Sequence, residues 1–366
     1  MDNIIVIGGG AIGLLSALNL AQQGLPVTLL EQSETGQEAS WAGGGIISPL
    51  YPWRYSQAVT ALSAWSQSAY PELATYLLKH TGIDPELHTT GLYWLDLEDE
   101  VAALEWAAGS SASLLAPPME EVHVRVPSLG SGFSRSIYMP GVASIRNPQL
   151  LRALKQALLN TENVSFREHC TVTEILLDGA GNARGVLTSQ GEMTADHVVV
   201  AAGAWSARLL SGVNLDISIE PVKGQMILYK CSRDFLPCIV LANGRYAIPR
   251  RDGHILVGST IEHTGFDKTP TDEALSSLKA SAEILLPALS QAEIIRHWGG
   301  LRPGSPQGIP YIGAVPGIKG LWLNCGHYRN GLVLAPASCR LLADLMLGRP
   351  PIVAPESYSP PAPKRP

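Results

Sequence analysis

Three glycines and one acid near the start of the chain have a spacing that could bind a nucleotide. Gly8, Gly10 and Gly13 stand in G-x-G-x-x-G order between an apolar run and a helical pattern, and Glu31 ends the next apolar run. Gly8 would allow a tight turn, Gly10 would let the backbone approach a pyrophosphate, and Gly13 would let the helix pack on the sheet. Glu31 would accept hydrogen bonds from a ribose, which argues against the 2′-phosphate of NADP. The pattern predicts a dinucleotide site and leaves FAD and NAD both open.

A second group of residues, in the C-terminal half, could bind a carboxylate. Arg302 lies in the sequence GGLRPG, Arg329 lies in GHYRNG, and Tyr246 opens the sequence YAIPR. The flanking glycines and proline predict that Arg302 sits in a rigid turn, and a guanidinium held in this way suits bidentate carboxylate binding. Arginines more often form surface salt bridges, so a salt bridge and a carboxylate site both stay open at this point.

No other residues form a pattern typical of side-chain catalysis. The sequence has no G-x-S-x-G elbow and no His, Cys and acidic residues at metal-ligand spacing, which predicts no metal site. The five cysteines are scattered, as expected for reduced thiols. A protein of this kind needs only to bind and orient its ligands if a cofactor carries the chemistry.

Composition limits the class of protein. With 366 residues, of which 46% are hydrophobic and 16% charged, the chain is long enough for about two domains. Its net charge of −6, without a Lys/Arg cluster, argues against nucleic acid and an anionic membrane surface as partners. The apolar N-terminus lacks the basic start of a signal peptide, so we expect a cytoplasmic protein.

The predicted elements alternate between two patterns along the chain. Strand, glycine turn, helix and strand open it, and a strand followed by a helix from about Gly331 closes it. Residues 219–301, in contrast, show long strands and a single helix. We therefore expect an α/β fold in which a Rossmann-like domain is joined to a second domain on a large, mostly antiparallel sheet. The predicted ranges are 1–88, 142–218 and 302–362 for the first domain, and 89–141 and 219–301 for the second.

Four local features can be predicted as well. Pro71 is expected to separate two helices within residues 56–80, because proline fits a first turn and disrupts an interior. Val122–Val126 and Ile239–Ile248 are each expected to form one strand. Asn147 is expected to be the N-cap of the helix that follows it.

Longer motifs give the chain a family resemblance. They are IIVIGGGAIG, ASWAGGGIISP, VVVAAGAWS, PVKGQMILY, RYAIPRRDGHILVGST, HWGGLRPGSPQGIPYIG and LNCGHYRNGLVLAP, and they span nearly the whole sequence. Together they resemble the FAD-dependent amine oxidases of the D-amino-acid oxidase type. The GHYRNG segment narrows the resemblance to the glycine oxidases of the bacterial thiamine pathway. The resemblance implies an FAD domain with a β-rich substrate domain lying over the flavin.

The resemblance also implies a role for each matching residue. Arg302 and Arg329 would bind the substrate carboxylate with Tyr246 beside it, and catalysis would consist of orientation without an acid or base. The residues implied to bind FAD are Gly8, Gly10, Ala11, Ile12, Gly13, Glu31, Gln32, Ala39, Ser40, Gly44, Gly45, Ile46, Val172, Ala202, Gly203, His327, Tyr328, Arg329, Asn330, Gly331, Leu332 and Val333.

Two departures from related families sharpen the expected activity. Sarcosine oxidases of similar fold tether FAD through a cysteine soon after a turn like LRPGSP, but residues 307–310 (QGIP) contain none, so we expect non-covalent FAD. D-Amino-acid dehydrogenases usually lack the arginine of GHYRNG, which favours an oxidase. The implied reaction is oxidative deamination of glycine, and also of sarcosine and small D-amino acids, by hydride transfer to FAD. Oxygen would be the acceptor, and the products would be the imine or glyoxylate, ammonia and hydrogen peroxide.

Three alternatives stay open on the sequence. They are a D-amino-acid dehydrogenase that passes electrons to a quinone, a sarcosine oxidase, and a flavin-binding subunit without activity of its own. We further expect that the glycine imine supplies thiamine thiazole synthesis. A homo-oligomer is expected, with no nucleic-acid or membrane partner.

Overall fold

The computed structural model describes residues 2–110 and 112–364 of the chain. Its strands are β1 (Ile4–Ile7), β2 (Val27–Leu30), β3 (His88–Thr89), β4 (Leu92–Leu95), β5 (Ser136–Met139), β6 (Ala143–Ser144), β7 (Val164–Arg167), β8 (Val172–Leu177), β9 (Ala183–Thr188), β10 (Gly191–Thr194), β11 (His197–Val200), β12 (Glu220–Lys230), β13 (Ile239–Ala242), β14 (Arg245–Pro249), β15 (His254–Gly258), β16 (Glu293–Gly304), β17 (Tyr311–Ala314) and β18 (Leu321–Cys325). Its α-helices are α1 (Ala11–Ala21), α2 (Ala39–Ala42), α3 (Gln57–Thr81), α4 (Glu100–Gly109), α5 (Met119–Arg125), α6 (Asn147–Leu159), α7 (Ser206–Leu210), α8 (Asp272–Leu285) and α9 (Gly331–Met346).

A six-stranded sheet in the order β17-β18-β11-β1-β2-β7 carries the nucleotide fingerprint. Its strands are parallel except for β17, which pairs antiparallel with β18. Successive side chains of β1 enter two cores, because side chains alternate across a strand. Ile4 and Val6 pack with helices α1, α3, α6 and α9, whereas Ile5 and Ile7 pack on the opposite face. Both faces of the sheet are therefore covered.

The second large sheet has seven strands in the order β16-β12-β15-β14-β13-β4-β5. All its neighbours are antiparallel except β13 and β4. Ile227 and Tyr229 of β12 pack with α8 on one face, and Met226 and Tyr246 lie in a core on the other. The expected α/β fold with a second, mostly antiparallel sheet is confirmed. The division into domains stays a prediction, and β16 runs across its boundary at residue 302.

The expected break at Pro71 is wrong, because α3 continues through it as one helix. Pro71 lies on the exposed side of α3. Proline removes the N–H that would bind the carbonyl one turn earlier, and a carbonyl on an exposed face can bind water instead. The helix therefore tolerates a proline that would end it if this face were buried away from water.

The strand expected at Val122–Val126 is also wrong, since Val122 to Arg125 belong to α5 and Val126 is its C-cap residue. Val122 and Val126 are buried, whereas Val124 is 83% exposed. Burial four residues apart is a helical spacing, and the alternating valines imitated a strand. Pro118 and two acids in the first turn of α5 start this helix.

Two further local expectations fail for identifiable reasons. Ile239–Ile248 is a hairpin of two strands, because Asn243 and Gly244 form a turn with φ of +49° and +73°. Asn147 does not cap α6, whose N-cap residue is Arg146. The Asn147 amide donates instead to the carbonyl oxygen of Ser40 at 2.7 Å.

Within the described ranges, no helix combines the length and the apolar content that crossing a membrane requires.

Candidate active site

A cavity of about 550 Å³ lies where the carboxyl ends of the parallel strands meet one face of the seven-stranded sheet. This is the edge at which open α/β sheets bind ligands. Ala11 and Gly13 stand outside its lining. The other site residues expected from the sequence all line it, namely Gly8, Gly10, Ile12, Glu31, Gln32, Ala39, Ser40, Gly44, Gly45, Ile46, Val172, Ala202, Gly203, Tyr246, Arg302, His327, Tyr328, Arg329, Asn330, Gly331, Leu332 and Val333.

Gly8 and Gly13 bring two stretches of backbone into direct contact at the turn between β1 and α1. Gly8 has a φ of +111°, and a Cβ added at Gly13 would lie 1.8 Å from the Gly8 carbonyl oxygen. Neither position can hold a side chain. The first helical N–H, of Ala11, donates to Oγ of Ser40 at 2.9 Å. The N-terminus of α1 is thereby fixed at the cavity, where its positive end suits phosphate.

Glu31 is held at the edge of the cavity by backbone donors. Its Oε2 accepts from the Gly9 N–H at 2.7 Å, and its Oε1 accepts from the Ser33 N–H at 2.9 Å. The residue is only 8% exposed. Oε1 also accepts from the Ser33 hydroxyl at 3.2 Å. A lone pair stays free on Oε2, so this oxygen can accept from a ribose hydroxyl.

Side chains distant in sequence hold the glycine loop that follows α2. The Arg250 guanidinium donates to the carbonyl oxygens of Gly44 at 2.8 Å and Ile145 at 3.0 Å. The Trp298 indole donates to the Ala42 carbonyl at 3.1 Å. Burial lowers the pKa of Arg250 to about 10, so its charge persists at neutral pH. The loop is therefore a fixed wall of the cavity.

A buried hydrogen-bonded chain supports the segment before α9. Nε2 of His327 lies 2.7 Å from Oγ of Ser338, and that hydroxyl donates to the Asn324 side chain. The Asn324 amide donates to Ser16 of α1 at 3.1 Å. Burial lowers the pKa of His327 to about 3. His327 is therefore neutral at physiological pH. Because the Ser338 hydroxyl already donates to Asn324, it accepts a hydrogen bond from the Nε2–H of His327.

Arg302 lies inside β16, opposite Val222 of β12, and not in the expected turn. The strand continues through GGLRPG because each residue from Gly299 to Gly304 pairs with a residue of β12, from Gln225 back to Glu220. A Cβ added at Gly224 would lie 2.2 Å from the Arg302 guanidinium nitrogens. The guanidinium therefore lies across a backbone position that only glycine can provide.

Three acceptors orient the Arg302 guanidinium. Its Nη1 donates to the carbonyl oxygens of Lys223 at 3.3 Å and Thr260 at 3.1 Å, and its Nη2 donates to Oγ of Ser259 at 2.7 Å. An arginine has five N–H donors, so within the described chain two stay available for a ligand. Burial lowers the pKa of Arg302, partly opposed by Tyr246, and the nearby Arg329 charge lowers it further. Two cations close together in the wall of the cavity favour an anionic ligand.

Tyr246 packs between the glycine loop and the second sheet. Its hydroxyl donates to Sδ of Met226 at 3.4 Å, and a Cβ added at Gly44 would lie 3.3 Å from its ring. The structure thus brings Tyr246, Arg302 and Arg329 into one wall of the cavity, although they come from β14, β16 and the segment before α9. This wall leaves little room beside Gly44 for a bulky ligand.

The cavity fits a flavin dinucleotide by its own features. At one end are the close glycine turn and the N-terminus of α1, which suit a pyrophosphate. At the other end the Asn330 amide nitrogen is buried without a hydrogen-bond partner in the described structure. A buried donor of this kind calls for an acceptor, which the carbonyl groups of a flavin ring would supply.

Several residues of the cavity lining were not predicted, and three of them, Gly224, Met226 and Ser259, contact Tyr246 or Arg302. Gly224 had a signal, because glycine inside a long strand often marks close approach of another group. Ser259 and Met226 had none, since a serine after a strand and a methionine inside a strand are ordinary core residues.

Comparison with known proteins gives a consistent result. The model of the FAD dependent oxidoreductase family matches residues 3–345. A glycine oxidase from Pseudomonas aeruginosa is 61% identical over 98% of both chains. The crystal structure of glycine oxidase from Geobacillus kaustophilus superposes with a TM-score of 0.92, at 30% identity over 98% of both chains. The Synechocystis protein "Bifunctional protein ThiO/ThiG" is 31% identical over 94% of this chain, which covers 52% of that protein.

Proposed function

The chain belongs to the family of FAD-dependent oxidoreductases, and on that premise we propose that it is a glycine oxidase. The reaction is glycine + O₂ + H₂O → glyoxylate + NH₃ + H₂O₂. The observation that carries the proposal is the pair of arginines, Arg302 and Arg329, in the wall opposite the nucleotide fingerprint. The glycine oxidases found by comparison support the same activity.

FAD, when bound, accepts the hydride and passes the electrons to oxygen. The chain's own residues bind and orient the substrate, as expected when a cofactor carries the chemistry. The free N–H groups of Arg302 bind the amino-acid carboxylate, Arg329 adds a second positive charge, and Tyr246 closes the side of the pocket. Holding the carboxylate fixes the direction of the α-carbon, so catalysis is mainly by orientation.

The cofactor assignments follow from the wall of the cavity. We assign the pyrophosphate to Gly8, Gly10 and the N-terminus of α1, the ribose to Glu31, and the adenine to Val172. The glycine loop and residues 327–333 face the flavin, where the N-terminus of α9 suits negative charge. We expect the FAD to be non-covalent, since residues 307–310 contain no cysteine. Burial raises the pKa of Cys325, one of the two cysteines in the lining, to about 12, which keeps its thiol protonated.

A peroxide assay with a substrate panel tests the proposal. Glycine, sarcosine and D-alanine should all yield peroxide, and Arg302→Ala should lower kcat/KM for glycine at least 100-fold. Arg296→Ala, which changes an exposed arginine of the same strand, is the matched control and should behave like the native enzyme. An Arg302→Ala enzyme with unchanged kcat/KM would mean that the carboxylate site lies elsewhere.

The alternatives give different outcomes in the same experiment. A D-amino-acid dehydrogenase would reduce a quinone and give no peroxide, and a sarcosine oxidase would turn over sarcosine much faster than glycine. A subunit without activity would not bleach its flavin absorption when glycine is added without oxygen.

We also infer the setting of the enzyme. The relative named "ThiO/ThiG" supports supply of the glycine imine to thiamine thiazole synthesis. Cysteines without disulfides in the described chain support a cytoplasmic location. We keep the homo-oligomer as a proposal, which light scattering after gel filtration would test.

A further inference from the structure

A buried polar cluster lies behind Arg302, outside the lining of the cavity. Its members are Lys223, Gln225, Thr260 and Glu262. The Lys223 side chain is only 1% exposed, and the Glu262 side chain is 25% exposed. A lysine is almost never buried this deeply without a partner, so the cluster calls for an explanation.

The Glu262 carboxylate is the centre of the cluster. It accepts from the Gln225 amide at 2.9 and 3.1 Å and from the Thr260 hydroxyl, and it lies 3.5 Å from Nζ of Lys223. The backbones are joined as well, because the Lys223 N–H donates to the Glu262 carbonyl and the Glu262 N–H donates to the Lys223 carbonyl, both at 2.9 Å. One carboxylate thus connects β12 with the segment after β15.

The same residues hold the substrate-binding arginine. Two of the three acceptors of the Arg302 guanidinium are the carbonyl oxygens of Lys223 and Thr260, and both residues contact Glu262 through their side chains. The third acceptor, Ser259, is the neighbour of Thr260 in the chain. Movement of the carboxylate would therefore move the groups that aim the guanidinium.

The charge of Glu262 is a separate effect, which by itself opposes the binding of a second anion. Arg302, Arg329 and Lys223 are cations in this part of the molecule. Burial by itself would raise the pKa of Glu262, but the bonds from Thr260 and Gln225 and the charge of Lys223 hold the pKa below its usual range. Glu262 is therefore ionised at neutral pH, and it offsets repulsion among the cations when no substrate carboxylate is bound.

We propose that Glu262 is a positioning residue for the carboxylate subsite. It acts through Lys223, Thr260 and Arg302, and it sets how tightly a carboxylate binds without setting the rate of the redox step. The inference rests on the proposed function only in that Arg302 is taken as the carboxylate ligand.

Glu262→Gln tests the inference in the FAD-loaded enzyme. Glutamine keeps the volume, but it removes the charge and puts an NH₂ group among three donors. Acetate, a carboxylate without an amine, serves as the probe, and its binding is followed by the flavin absorption spectrum. We expect the loss of positioning to outweigh the removal of a repelling charge, so acetate should bind about tenfold more weakly. KM for glycine should rise by the same factor, with kcat within twofold of native. Glu220→Gln, on the exposed end of β12, is the control and should bind acetate as the native enzyme does.

Several outcomes would overturn the inference. Native acetate affinity and native KM in Glu262→Gln would do so, as would a fall in kcat with KM unchanged. If Glu262→Gln does not retain FAD, Thr260→Val removes one bond to the carboxylate and should weaken acetate binding about threefold, and unchanged affinity would overturn the proposal. Because the acetate titration needs no turnover, weaker binding in a protein that does not oxidise glycine would refute the glycine oxidase proposal alone.

Discussion

The two walls of the cavity recognise their ligands by different means. The wall built on β1, β2 and α1 uses backbone, with glycines that exclude side chains and a helix N-terminus. The other wall, built on β12, β14, β16 and the segment before α9, uses side chains, among them Arg302 and Arg329. Arg302 is held by acceptors from β12 and from the segment after β15. A backbone site depends on local spacing, whereas the side-chain site depends on the register of a whole sheet. The backbone wall suits a cofactor that stays the same, whereas the side-chain wall can accept a different substrate after a single substitution.

Gly13→Ala breaks the backbone wall and should have the largest effect. The new Cβ would lie 1.8 Å from the Gly8 carbonyl oxygen, so α1 must move away from β1 at a cost of several kcal/mol. We expect loss of FAD and a large fall in thermal stability, measured by absorption and calorimetry. Gly179→Ala, at an open position, is the control and should change neither. Normal FAD content in Gly13→Ala would show that the turn is not tightly packed.

Gly224→Ala breaks the side-chain wall and leaves the backbone wall intact. Its Cβ would displace the Arg302 guanidinium, which lies 2.2 Å from the position of that atom. We expect KM for glycine to rise between about 10- and 100-fold, or roughly 1.4–2.7 kcal/mol, while FAD content stays native. Steady-state kinetics and the flavin spectrum measure the two parts separately. Loss of FAD would mean that the two walls are not independent.

The burial of His327, in the segment before α9, predicts how the stability of the protein depends on pH. Its pKa is about 3 in the folded protein, against about 6.5 when unfolded. The unfolded state therefore binds more protons below pH 6.5, and stability is lost as pH falls from there toward 3. Between pH 6 and pH 4 this contribution is on the order of 2 kcal/mol. Urea unfolding at both values should show a smaller difference in His327→Gln, and an equal difference would contradict the assignment.

Glu31→Gln makes a small change in the backbone wall and tests whether the two walls act separately. An amide NH₂ would face the N–H of Gly9 or of Ser33, so one hydrogen bond is lost. FAD should bind about tenfold more weakly, roughly 1.4 kcal/mol, while KM for glycine stays native at saturating FAD. Glu34→Gln, a nearby exposed acid, should leave the affinity for FAD unchanged. A rise in KM with FAD saturated would argue against the separation of the walls.

The sequence predicts the backbone wall well, because its information is local. Gly8, Gly13 and Glu31 lie within one strand–helix–strand unit, and their spacing specifies the turn. The side-chain wall is harder, since Arg302 looked like a turn residue until its pairing with β12 was known. The residues of that wall meet only when strands far apart in sequence come into register.

The local errors have the same origin. Val122–Val126 alternates like a strand, and only the burial of residues four apart distinguishes a helix. The hairpin at Asn243 and Gly244 had a recognisable turn signal that a continuous apolar run concealed. Helix α3 continues through Pro71 because that face of the helix is exposed. The sequence alone does not show which face of a helix is exposed.

The contact between α1 and the end of the chain has a consequence for synthesis. Ser16 of α1 hydrogen-bonds Asn324, a partner 308 residues later, and α9 completes the same core. Part of the apolar surface of α1 therefore stays uncovered on the ribosome until α9 has been made. A truncated chain that ends before α9 should aggregate whether or not FAD is supplied.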